Sequence, residues 1–367
     1  VNSEIINGDC IRELAYFKDN YFDLTIADPP YWKVINEKWD YKWKTENDYI
    51  EWSKIWIKEV YRTLRYGGSF YIFGYFRTLS LLIQYLQEIG FSIRQQIIIN
   101  KGIKSIAGRA TKNYKMYPNV TESILFLIKN NIPYSKSILK NRQKILGLTS
   151  KEINEAIGVK SNGGGMWSIY TGNNVCEQFP TYEIWDKLQK ILKFDIPYNK
   201  IAQTFNVEMG ITDVWDDIDF YSEERYHPTQ KPLKLIERII RSSSNINDNV
   251  LDPFAGSGTT LIACNNTNRN SISIEIESKY INNIKKRLMN SNIQKNYFKP
   301  YVVFLLLFFI FLSVSLKDNK ALIFSSIKDR FFISILLDFN IFFSLVFNNS
   351  IGIFSDSILV LSISGFT

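Results

Sequence analysis

Leu24-Thr25-Ile26-Ala27-Asp28-Pro29-Pro30-Tyr31 is the stretch on which the fold turns. The apolar run Leu24–Ala27 reads as a short buried strand. Two prolines in succession cannot feed a hydrogen-bonded ladder, so the chain must leave the sheet at Pro29. Pro30 also holds Pro29 extended. The product is a stiff rim at the carboxyl end of a strand. It carries the Asp28 carboxylate on one side and the Tyr31 ring on the other. Such a rim suits a planar group bearing an amino substituent, although a Pro-Pro turn after a strand can also be only a turn.

A second stretch gives the first its meaning. Asn249-Val250-Leu251-Asp252-Pro253-Phe254-Ala255-Gly256-Ser257-Gly258-Thr259-Thr260 reads as strand, Gly-rich turn and helix start. Gly256 and Gly258 allow a ligand close to the backbone, and Thr259-Thr260 can cap the helix. Glu275 closes the next apolar run, Ser271–Ile274. It lies about 20 residues past the glycines, the usual spacing for an acid that holds a ribose diol. No lysine follows the glycines, so the turn is not a P-loop.

Together these stretches resemble the amino-methyltransferases that act on exocyclic amines of DNA bases with S-adenosylmethionine. Asp28-Pro29-Pro30-Tyr31 is similar to that family's catalytic motif, and Asp252–Gly258 to its cofactor loop. The catalytic motif comes first, as in the permuted beta group. His227-Pro228-Thr229-Gln230-Lys231-Pro232 resembles the segment that precedes the cofactor loop, and Asn7-Gly8-Asp9-Cys10 another cofactor-contacting segment. The resemblance covers about residues 1–290.

It implies an α/β fold: a doubly wound, mostly parallel sheet of Rossmann-like methyltransferase type. It implies catalytic roles for Asp28, Pro29, Pro30 and Tyr31. Asp9, Asp252, Phe254, Ala255, Gly256, Gly258, Thr259, Glu275, Thr229 and Lys231 are the implied cofactor contacts, with Lys231 or nearby backbone meeting the methionine carboxylate. The substrate would be double-stranded DNA, methylated at adenine N6 after base flipping. Asp rather than Ser at the first motif position leans to adenine N6 over cytosine N4. Tyr31, with Trp32 or Phe254 beside it, would stack on the flipped base. No metal is required, and a restriction endonuclease partner follows by analogy. The alternative of another class is a non-catalytic DNA-binding protein with a relic pocket.

The rest of the chain fits around this. Helices are expected over Asn47–Leu64, Thr78–Glu88, Leu233–Ile240 and Lys279–Met289, and strands over Ser69–Phe73, Phe91–Ile99 and Glu122–Ile128. Gly67-Gly68 should stop the first of those helices. Residues 1–129 read as the catalytic half, 130–219 as an inserted, mainly helical target-recognition region, 220–292 as the cofactor half, and 293–367 as an apolar tail. In the insertion, Thr149-Ser150-Lys151-Glu152 starts one helix with a capping box, and Met166–Tyr170 opens another. The outline is a loose helix-turn-helix. Asp186–Phe194 continues as a helix.

Net charge is +8, carried wholly by the first 300 residues, which suits a polyanionic partner. Lys101, Lys104, Arg109, Lys112 and Lys115 have no acid among them and are the expected contacts to the DNA backbone. Lys33, Lys38, Lys42 and Lys44, interleaved with Trp39, Tyr41 and Trp43, suit phosphate contact and base stacking or a loop folded on its own aromatics. Three scattered cysteines and a single histidine, His227, argue against disulfides, zinc and Ser–His chemistry, and for a reducing cytoplasm. Nothing at the start reads as a signal peptide. Tyr301–Leu316 is almost wholly apolar but shorter than the ~20 residues a membrane span needs. The tail is therefore read as out-of-frame or read-through translation rather than a membrane hairpin. Monomer and dimer are both open.

Overall fold

The computed structural model describes residues 1–32, 41–106, 117–158, 165–172, 175–206 and 208–289. Residues 1–292 form one compact unit. Its centre is an eight-stranded sheet in the order β1-β8-β7-β2-β3-β5-β4-β6. The strands are β1 (Ser3–Asn7), β2 (Phe22–Ala27), β3 (Leu64–Gly74), β4 (Phe91–Asn100), β5 (Thr121–Lys129), β6 (Val214–Trp215), β7 (Asn249–Asp252) and β8 (Asn270–Glu275). β5 runs antiparallel to both β3 and β4, and every other pairing is parallel. The expected mostly parallel sheet is therefore present.

All six residues of β2 are buried, as a central strand covered on both faces requires. Side chains alternate between the two covering layers. Phe70 and Ile72 of β3 join the cluster beneath helices α1 (Cys10–Leu14), α2 (Glu46–Thr63) and α3 (Phe76–Glu88), whereas Tyr71 and Phe73 join the opposite one. That second layer is built on α8 (Leu233–Ser243) and α9 (Thr259–Thr267).

Gly67-Gly68 does not stop a helix. α2 ends at Thr63 and β3 runs straight through both glycines. Phe22 pairs with Leu64 but Leu24 pairs with Ser69, so the extra residues form a bulge. Gly67, at φ 73°, passes so close to the 201–202 backbone that a Cβ would stand 2.2 Å from the Ile201 carbonyl oxygen. α2 also starts earlier than the apolar pattern indicates. Thr45 and Asp48 cap its first turn reciprocally.

The inserted region has its own core. Helices α4 (Ile132–Leu146), α5 (Ser150–Ala156), α6 (Gly165–Thr171) and α7 (Tyr182–Leu192) bury Leu139, Ile153, Trp167, Tyr170, Trp185 and Leu188 together. The capping box at Thr149 and Glu152 forms as expected. α7 opens four residues before Asp186 because Thr181 caps it. Trp185 is fully buried, and its indole N–H donates to the Ile196 carbonyl at 2.8 Å. Trp185→Ala should cost about 3–5 kcal/mol, read as a lower urea midpoint. A loss under about 1 kcal/mol would show that this core is not cooperative with the sheet.

Two other expectations fall wholly or partly outside the described residues. These are the 293–367 tail and the Gly163-Gly164 part of the turn before α6. Among the described residues, no helix is long and apolar enough to cross a membrane.

Candidate active site

β2 and β7 are neighbours, although more than 200 residues separate them in the chain. Leu24 pairs with Val250 and Thr25 with Leu251, in parallel. The loops that follow the two strands thus leave the same edge of the sheet side by side. This is where strand order switches direction, the place α/β sheets open a crevice. Asp28, Pro29, Pro30 and Tyr31 line one wall of a cavity of about 410 Å³. Asp252, Phe254, Ala255, Gly256, Thr259 and Glu275 line another, and Asp9, Thr229 and Lys231 complete it.

Burial and charge shape the rim. Tyr49 donates to the Pro30 carbonyl at 2.7 Å, which fixes the Pro-Pro turn. The Tyr31 hydroxyl lies between two carboxylates, Asp28 Oδ1 at 2.7 Å and Glu122 Oε1. Its ring meets Tyr75 edge to face at 5.3 Å. Burial, then the two acids, pushes the phenol well above its ordinary range, so it stays a donor. Burial also raises the Asp28 carboxyl, and Lys231 opposes that rise. The Asp28 side chain keeps 22% of its surface, so it still faces the cavity.

Lys231 lines the cavity and is engaged there by acids of the rim. Its Nζ donates to Asp28 Oδ1 and Oδ2 at 2.9 and 2.8 Å and pairs with Glu122 Oε1 at 3.0 Å. It is not an exposed lysine. The half-buried Asp28 and the buried Glu122 capture it because a buried cation requires paired partners. Burial works against its charge, but Asp28 and Glu122 outweigh that and raise it. Glu122 is the residue that sequence reading missed, since Glu122–Ile128 registered only as a strand. A lone acid opening an otherwise apolar run was the available signal. Burial opposes its charge, yet Lys231 and Lys101 hold its carboxyl below the ordinary value.

The cofactor-side residues hold their own loop. Glu275 accepts the Gly256 N–H at 2.7 Å and the Glu277 N–H at 2.8 Å. Asp252 accepts the Phe254 N–H at 3.0 Å, and burial raises its carboxyl to about 7. Asp9 caps α1 by accepting from Ile11 and Arg12, so it initiates the helix and also walls the cavity. Neither threonine caps α9, whose N-cap is Gly258. The Thr259 hydroxyl instead meets Ser257 and Arg287. Gly258 does not line the cavity but lies behind the loop against Ile284. His227, half-buried and pushed down to about 4 chiefly by desolvation, stacks edge-on against Tyr280 at 4.3 Å. Phe254 lines the cavity together with Trp43 and Trp52. Trp32 does not line it, and its indole N–H donates to the Trp43 carbonyl at 3.0 Å.

The basic loop is only partly described. Lys101 is not unpaired, because Glu122 Oε2 from the adjacent strand lies 3.7 Å away. Lys104 is exposed on a short 3-10 turn, Ile103–Ile106. Arg109, Lys112 and Lys115 lie outside the described residues, as do Lys33, Lys38 and Trp39.

Type II methyltransferase M.HinfI of Haemophilus influenzae is 28% identical over 300 residues, covering 77% of this chain and 67% of that protein. DNA adenine methyltransferase YhdJ of Escherichia coli (strain K12) is 29% identical over 291 residues, covering 77% and 82%. Among solved structures, the M1.HpyAVI–SAM complex aligns over 78% of this chain and 98% of that one, at 24% identity and a TM-score of 0.46. A family model described as DNA methylase matches residues 22–286. The chain belongs to that family, the N6/N4 DNA methylases.

Proposed function

We propose that this chain transfers a methyl group from S-adenosylmethionine to the N6 amine of adenine in double-stranded DNA. One observation carries the reading: Asp28-Pro29-Pro30-Tyr31 and the Gly256 turn open into one cavity from adjacent parallel strands. The cavity fits the donor. Among the described residues its lining brings the acids Asp9, Asp28, Asp252, Glu275 and Glu277 against the ammonium groups of Lys42 and Lys231, which suits a cationic guest. Glu275 and Asp9 would meet the ribose and adenosine, with Phe254 and Ile274 as the apolar wall. Thr229 and the neighbouring backbone would meet the methionine end.

Bound S-adenosylmethionine supplies a methyl on a sulfonium, which an amine lone pair takes as the carbon–sulfur bond breaks and its electron pair stays on sulfur. The chain's own residues do the rest. An adenine within a duplex is out of reach, so the base must be flipped, at a cost of a few kcal/mol. Stacking on an aromatic face returns about 1–3 kcal/mol. Tyr31 is that face on the rim, with Trp43 and Trp52 deeper in. Asp28 and the Pro29 carbonyl accept hydrogen bonds from the amine, which aims its lone pair and leaves Asp28 as the nearest acceptor of the departing proton. Asp at the first motif position favours adenine over cytosine, in line with the name of YhdJ. The type II relatives support a cognate restriction endonuclease. The excess of basic charge supports DNA contact by the 101–115 loop.

Incubation of the full chain with tritiated S-adenosylmethionine and unmodified DNA, followed by nucleoside chromatography, tests this. N6-methyladenine is expected. N4-methylcytosine would select the other amine, and unlabelled DNA would contradict the reading.

A further inference from the structure

Building on that methyl-transfer reading, we propose that Lys231 and Glu122 are positioning residues: Lys231 fixes and keeps ionised the Asp28 carboxylate, and Glu122 shares the charge of Lys231 so that Asp28 remains a strong acceptor for the amine. The contacts are specific. Asp28 Oδ1 lies 2.9 Å from Lys231 Nζ and 2.7 Å from the Tyr31 hydroxyl, whose one proton it shares with Glu122 Oε1, whereas Oδ2 receives Lys231 alone at 2.8 Å. Oδ2 is thus the oxygen with acceptor capacity to spare. Glu122 Oε1 takes Lys231 at 3.0 Å and is the other acceptor competing for the Tyr31 proton. The four groups come from three places in the chain: the loop after β2, the start of β5 and the residues before α8.

The backbone around Lys231 is built to aim it. The Gln230 side chain accepts the Tyr226 N–H at 3.0 Å and donates to the Glu224 carbonyl at 3.0 Å. Pro232 then ends the loop as the N-cap of α8. A buried ion pair is weak evidence of stabilisation, since apolar replacements of similar volume are often neutral. A lysine held against the reacting carboxylate therefore points to the reaction.

The charges around Asp28 fix the signs. Lys231 lies on one side, with His227 from the same segment. Glu122 comes from β5, with Lys101 of the β4 end behind it, and Asp252 comes from β7. Without Lys231, Asp28 and Glu122 become two buried acids across one hydroxyl, and such a pair takes up a proton. The acid limb of the pH–rate profile then moves up. Without the Glu122 charge, Asp28 loses a repulsive neighbour and keeps the whole cation. The limb then moves down, while a more fully neutralised Asp28 accepts less strongly.

The test uses the full chain as wild type, Lys231→Met and Glu122→Gln. Single-turnover methyl transfer to DNA is measured from pH 5.5 to 9, with S-adenosylmethionine binding and thermal melting alongside. Lys231→Met is expected to lower the rate by about 10²-fold and shift the acid limb up by about one pH unit or more, with cofactor affinity within about threefold of wild type. Glu122→Gln, which is isosteric and keeps the fold if Lys231→Met does not, should lower the rate about tenfold and shift the limb down. Limbs that do not move in folded variants, or a Lys231→Met loss confined to cofactor affinity, overturn the proposal. A wild type that methylates nothing overturns the methyl-transfer reading beneath it as well.

Discussion

Asp28→Ala reduces methyl transfer to below about one-thousandth of wild type while leaving S-adenosylmethionine affinity within about twofold. The asymmetry follows from where Asp28 stands. It lines the cavity but belongs to the β2 rim, across from the Gly-rich loop. Its removal deletes the acceptor for the amine and for the proton that leaves. The local fold persists, because Lys231 keeps Glu122 as a partner and Tyr49 still holds the Pro30 carbonyl. Equal losses in rate and in cofactor affinity would mean that the residue builds the pocket rather than acts in it. Single-turnover rates and calorimetric titration of the same preparation separate the two.

Gly258→Val acts from the other side and is expected to weaken S-adenosylmethionine binding by about 30-fold or more, roughly 2 kcal/mol. Gly258 holds φ 74° at the N-cap of α9, where a side chain costs about 1–2 kcal/mol. A Cβ there would also stand 2.7 Å from Ile284 Cγ2. The loop must then shift, and the Gly258-to-Ala255 backbone bond at 2.7 Å shifts with it. Gly256→Ala carries the same kind of backbone strain at φ 51°, but its Cβ would meet His227 at an ordinary 3.7 Å, so it lacks the steric clash that Gly258→Val adds. Comparable affinity in wild type and Gly258→Val would show that the turn does not shape the site.

What could be read before folding was what each residue demands of its own backbone. Two prolines end a strand, glycines make a tight turn, and Thr149 with Glu152 opens a helix. Their placement therefore matches the structure. What could not be read depends on strand order. Glu122 reaches Tyr31 and Lys231 only because β5 lies next to β3. Lys101 gains an acid from the strand beside it. Gly67-Gly68 resembled a helix stop because the close passage of residues 201–202 is a tertiary fact. Of the aromatics expected beside the base, Tyr31 and Phe254 line the cavity and Trp32 does not, whereas α2 turns Trp52 into it.

The most direct measurement is a crystal structure of the full chain with S-adenosylhomocysteine. The sulfur should face the Asp28 carboxylate across the cavity, with the ribose at Glu275 and the Gly256 turn against the ligand. A ligand bound elsewhere, or a sulfur turned away from Asp28 with the β2 rim closed off from it, would contradict a shared site for the two loops.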